Sequence, residues 1–220
     1  VYKRQPLVKA LDPSQRVVGI RSSDKGSHAE VDFDVPSIAS RAADTIRKIQ
    51  PAGPYMLCGW SSGGVIAMEV ARLLAADETA LIMIDSYGTS LQHRPNAAKR
   101  AVALVRRILN KVWEYPAATI RARGVLFLRR FWAYSGYQPV PYDHRFLLIR
   151  SSHSVGATGD AFLGWSEVAQ AGIDLEMVVG DHETMMQDPD VNETGEIVQR
   201  YLTQFTARYA PAQDSTAALG

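Results

Sequence analysis

Cysteine is nearly absent from these 220 residues. Cys58 stands alone, which excludes an internal disulfide and any cysteine-rich zinc site. A lone thiol fits a reducing compartment, so the cytoplasm is the expected location. Long apolar runs are also missing, since no stretch approaches the roughly 20 residues a membrane-spanning helix needs. The first residues, Val1 to Gln5, lack the apolar centre of a secretory signal. There are no internal repeats and no low-complexity segments. Charge of neither sign is in excess, with 24 Lys and Arg against 23 Asp and Glu. What remains is the expectation of a soluble globular protein, one domain over 1–220, long enough to bury a core without disulfides or metals.

The balanced total conceals an uneven distribution. Between Gly88 and Val140 ten Lys or Arg residues face one acid, Glu114, so that segment carries +9 and the rest −8. Two readings fit: a solvated helix face, or a docking surface for an acidic partner, because clustered charge of one sign raises encounter rates with the other.

Of the sequence, 46% is hydrophobic, and these residues fall into alternating short and long patterns. Arg16–Ile20, Tyr55–Trp60, Ala80–Ile84, Arg145–Ile149 and Ile173–Val179 read as strands. Most are nearly continuous apolar runs, as in parallel strands buried on both faces. Helical spacing links Ile38, Ala42, Ile46 and Ile49 after the start signal Pro36-Ser37. It recurs at Ile66, Val70 and Leu74, and again at Ile197, Val198, Tyr201, Leu202 and Phe205. The alternation predicts an open, doubly wound α/β sheet, with a frayed tail over 211–220.

One region, about 88–140, breaks this alternation. Ala101, Leu104, Val105, Ile108, Leu109 and Val112 have helical spacing, and a second helical stretch from Ile120 to Trp132 is interrupted at Gly124, with Pro116 between the two. Helices inserted above the sheet are the simplest account, acting either as a lid or as a core-packing pair without a gating role.

The chemistry concentrates in YMLCGWSSGGVIAMEVARLL, Tyr55 to Leu74, where a strand runs into Gly-x-Ser-x-Gly and then an amphipathic helix. A nucleophilic serine must stand clear of the backbone between a base and a carbonyl, and a tight strand-to-helix turn achieves this. Ser61 lies midway between Gly59 and Gly63, the glycines that let strand and helix approach. The order of elements points to an α/β-hydrolase fold with Ser61 as nucleophile and the Ser62 amide, at the positive end of the helix, as one oxyanion donor. Cys58, one position before the turn in an apolar strand, reads as a small core residue.

A base is needed next. Of His28, His93, His144, His153 and His182, the last follows a strand in the loop before the final helix, where the order Ser, acid, His places it; His153, also after a strand, is the competitor. For the acid, Asp85 is favoured because it ends a strand at its carboxyl edge, where open α/β sheets assemble their sites. Asp160 and Asp181 are the alternatives.

The runs GPYMLCGWSSGGVIAMEVARLL, LIMIDSYG and VVGDHETMM resemble the thioesterase domains that terminate nonribosomal peptide and polyketide assembly lines, over about Pro6 to Tyr209. That family carries its acid after the strand following the nucleophile helix, the place of Asp85. The resemblance implies a mostly parallel sheet with a helical lid. It also implies an acyl or peptidyl chain, held on a carrier protein's phosphopantetheine arm, passing to Ser61 and being released by hydrolysis or cyclisation. His182 would be the base and Asp85 its support, with no metal or diffusible cofactor. Carrier proteins of this kind are acidic, so Arg106, Arg107 and Lys111 become candidate docking residues; neither nucleic acid nor membrane is an expected partner. Family members begin with a strand and a His-Pro-Gly-Gly-like loop supplying a second oxyanion amide. Neither precedes Pro6, and the expectation is that this N-terminal portion is missing. Rival readings are a stand-alone editing thioesterase or carboxylesterase of the same fold, and a non-catalytic hydrolase-like chain used for binding.

Overall fold

Among the described residues, four six-residue strands form one parallel sheet in the order β1 (Tyr55–Trp60), β2 (Thr79–Ile84), β3 (Phe146–Ser151) and β4 (Ile173–Val178). The computed structural model describes residues 5–20, 34–75, 78–88, 134, 137–154 and 160–209. Almost all of the segment expected to form a lid, including Arg106, Arg107 and Lys111, lies outside the described residues, as do His28, His93 and the tail from 211.

Alternation along β2 sends Ile82 and Ile84 to one face and Leu81 and Met83 to the other. Helices α1 (Gln5–Ala10) and α4 (Val191–Tyr209) cover the first face with Leu7, Val191, Ile197, Val198 and Leu202. Helices α2 (Val35–Ile49) and α3 (Ser62–Leu74) cover the second, where Val35, Val65 and Met68 meet Leu81, Met83, Phe146 and Leu148. Every residue of β2 and β3 is buried, the apolar runs Ala80–Ile84 and Phe146–Ile149 as expected and the polar Thr79, Arg150 and Ser151 with them.

The outer strands differ. Met56 and Cys58 of β1 are exposed, because the core built by α1 and α4 draws on β2, β3 and β4 and reaches β1 only at Trp60. Cys58 is therefore not the small core residue expected from its apolar neighbours. Arg16–Ile20 also departs from expectation: it is not a strand, and Val17 and Val18 are about half exposed. Apolar β-branched residues make a strand only when a neighbour completes the ladder, and no described strand pairs with this one.

Local signals set the helix ends. Asp34 caps α2, its carboxylate accepting from the Ser37 amide at 2.8 Å, and Pro36 lies in the first turn. On α3, buried Glu69 pairs with Arg72 at 2.9 Å and accepts the Tyr137 hydroxyl at 2.6 Å, anchoring the helix to the chain that leads into β3. Burial, and then the Glu69 carboxylate, push the Tyr137 phenol well above its ordinary value.

Candidate active site

At the carboxyl end of β1 the chain turns into α3 through Ser61, whose φ of 56° and ψ of −126° lie where few non-glycine residues are found. The Ser61 amide donates to the Ile84 carbonyl at 2.8 Å, tying the turn to β2, and the Gly64 amide donates back to the Ser61 carbonyl at 3.1 Å. A β-carbon at Gly59 would sit 2.2 Å from the Gly63 carbonyl oxygen, and one at Gly64 2.5 Å from the Ser86 hydroxyl. Nothing lies within 4 Å of such an atom at Gly63. The two positions that demand glycine are thus Gly59 and Gly64, which corrects the expectation for Gly63. Ser62 opens α3 on the exposed side, at the positive end of the helix dipole.

One strand over, Asp85 follows β2 with a φ of 43°, also in the left-handed region, and is fully buried. Its amide continues the ladder to the Ile149 carbonyl at 2.7 Å, and its Oδ1 accepts the Ser151 amide at 3.1 Å. The other oxygen, Oδ2, lies 2.7 Å from Nδ1 of His182, 97 residues along the chain. A carboxylate on Nδ1 keeps the proton there and leaves Nε2 as the basic nitrogen. The His182 side chain is 32% exposed, so the ring is anchored at a buried edge and open at another.

The loop carrying His182 is fixed by Asp181. Its Oδ1 accepts the Glu183 and Thr184 amides at 2.8 and 2.9 Å, and its own amide donates to the Thr184 hydroxyl at 2.9 Å. Those amides hold the Asp181 carboxyl below its usual range. Asp160 accepts the amides of Phe162 and Gly164 and so shapes its own turn. His153 is exposed, with its amide on the Gly180 carbonyl at 3.3 Å. His144 sits beside Asp143 at 3.4 Å and edge-on to Tyr142. Of the candidate acids, Asp85 is the one whose carboxylate reaches the His182 ring.

Sequence reasoning passed over Trp60. Its ring stacks on His182, with centroids 5.1 Å apart and planes inclined by 26°. It also passed over the Ser151 amide, which holds Asp85 through a backbone group and so leaves no residue-type signal. Among the described residues no cluster of His, Cys, Asp or Glu has the makings of a metal site, and no helix is long and apolar enough to cross a membrane.

The family model for the thioesterase domain matches residues 4–203. A non-reducing polyketide synthase, atnG of Arthrinium sp, is 27% identical over 227 residues, covering 86% of this chain and 11% of that protein. The chain spans about a tenth or less of the length of the curated relatives it matches. Among solved structures, the four-domain nonribosomal peptide synthetase holo-AB3403, bound to AMP and glycine, superposes with a TM-score of 0.74 at 20% identity, over 91% of this chain and 18% of that one. The NocB thioesterase domain from the nocardicin cluster superposes with a TM-score of 0.57 at 25% identity, over 82% of this chain and 77% of that one.

Proposed function

Because this chain belongs to the thioesterase domain family, we propose that it releases an acyl or peptidyl chain from a carrier protein's phosphopantetheine thioester, by way of an acyl-enzyme on Ser61. The observation that carries the reading is the 2.7 Å contact between His182 Nδ1 and buried Asp85, placed at the same sheet edge as the Ser61 turn. Nε2 of His182 takes the Ser61 proton as the hydroxyl oxygen attacks the thioester carbonyl. The Ser62 amide, with the α3 dipole behind it, stabilises the oxyanion. The tetrahedral intermediate collapses, the C–S bond breaks and the thiol leaves with the proton from His182. Water, or a hydroxyl or amine within the chain, then attacks the Ser61 ester with His182 again as base, giving a hydrolysed or cyclised product. Asp85 stays ionised and supports the imidazolium.

The resemblance to polyketide and nonribosomal peptide synthetases supports a carrier-bound substrate in secondary-metabolite biosynthesis. A cytoplasmic location, in keeping with the lone cysteine, and a reaction that needs no cofactor of its own belong to the same proposal. Arg106, Arg107 and Lys111 are the proposed contact for an acidic carrier. Fluorophosphonate labelling of the full chain tests the nucleophile: the expected result is one label per chain, abolished in Ser61→Ala. Label that survives the substitution rules out Ser61. Charge reversal at the three basic residues should slow release from a carrier while sparing a soluble thioester; equal loss on both rejects the docking role.

A further inference from the structure

The Asp85 carboxylate holds one edge of the His182 ring, and a ring held at one edge can still rock about that hydrogen bond. The stacked indole of Trp60 blocks that motion on one face. A centroid distance of 5.1 Å with planes 26° apart lies within the range of offset aromatic stacking. Trp60 is also the residue before Ser61, so the last residue of β1 and the first of the turn after it carry the platform for the base and the proposed nucleophile.

We infer that Trp60 is a positioning residue: its ring holds the His182 imidazole in the plane that serves Ser61 and stabilises the imidazolium formed when the Ser61 proton is taken up. This rests on the reading of Ser61, His182 and Asp85 as the reaction centre. Two observations and a general property of indole rings support it. Trp60 packs on the core between the sheet and α4, so the ring that stacks on His182 is itself held from behind. Among the described residues its buried indole N–H has no acceptor, and its contact with His182 is a stack of ring faces. A cation over an indole face, within about 6 Å of its centroid, is attracted by the ring quadrupole. Neutral imidazole gains only the packing. The stack therefore favours the protonated base, the form present in the transition state.

The orphaned N–H also selects the test, because Trp60→Phe keeps an aromatic face and sacrifices no hydrogen bond. In the full chain, Trp60→Leu should lower kcat on a small soluble thioester about tenfold, equivalent to about 1.4 kcal/mol of transition-state stabilisation, with KM within about twofold. Trp60→Phe should retain kcat within about threefold. The carbon-bound imidazole protons of His182, assigned by their disappearance in His182→Gln, should show an upfield ring-current shift that persists in Trp60→Phe and is lost in Trp60→Leu. Trp60→Met replaces the leucine variant if that one melts early. An unchanged kcat in the aliphatic variant overturns the positioning role while leaving the Ser61 reading intact. Equal losses in the Phe and Leu variants, or a fall confined to KM, overturn it as well. Absence of fluorophosphonate label on the parent chain overturns the Ser61 reading, and the role of Trp60 with it, whatever the spectra show.

Discussion

Two segments meet at this sheet edge, and they are held in opposite ways. The turn at 59–64 is set by backbone sterics: Gly59 packs against the Gly63 carbonyl, Gly64 against Ser86, and the Ser61 amide is pinned to β2. The loop at 180–186 is set by side chains: the Asp181 carboxylate ties two amides, the Thr184 hydroxyl a third, and Asp85 reaches in from 97 residues away. A position set by sterics tolerates almost no added atom. A position set by hydrogen bonds should degrade by steps as each is removed.

The sharpest break of this contrast is Gly59→Ala. The new methyl group would overlap backbone atoms of Gly63 and Gly64 at 2.2–2.5 Å, and neither can move without unwinding the start of α3. The expected loss is at least ~4 kcal/mol of stability together with all fluorophosphonate labelling, measured by thermal melting and by mass spectrometry. A well-folded, fully labelled alanine variant would show that the turn is looser than its geometry implies.

Asp85→Asn comes next. It keeps the shape and the acceptor for the Ser151 amide but removes the charge and favours the wrong tautomer of His182, so kcat should fall by about ten-thousandfold with little change in melting temperature. A drop of tenfold or less would mean that the Nδ1 contact contributes little to the base.

The smallest effect is expected at Asp181. Its folded-state carboxyl titrates below the ordinary value of 3.8, so the stability it contributes is present above that value and is lost as pH falls through the lowered one. Asp181→Ala should therefore lower stability at pH 7, by less than ~1 kcal/mol because the group is exposed, with the difference closing below pH 3.8. A gap that widens in acid would reverse the sign of this account.

Legibility in the sequence follows the same division. Positions governed by local sterics were readable: Ser61 follows from a strand, two flanking glycines and a helix, and β2 and β3 follow from unbroken apolar runs. The motif points to Gly63 where the structure demands Gly64, because it gives the spacing of the glycines but not which one faces Ser86. Arg16–Ile20 and Cys58 depart from their apolar pattern for a related reason. Whether an apolar extended segment is buried depends on what lies beside it, and sequence pattern is silent on neighbours.

The sequence by itself determined the parallel α/β architecture, the strand-to-helix turn that carries Ser61 and a short list of candidate bases and acids, because periodicity and glycine spacing act over a few residues. Which of Asp85, Asp160 and Asp181 reaches the His182 ring is visible only in the tertiary structure, which brings one carboxylate to 2.7 Å of it and holds the other two on amides of their own loops. It alone placed Trp60 against that ring. A contact between side chains 97 or 122 positions apart depends on strand order and on which way each strand end turns, and neither is encoded by any local pattern of residue types.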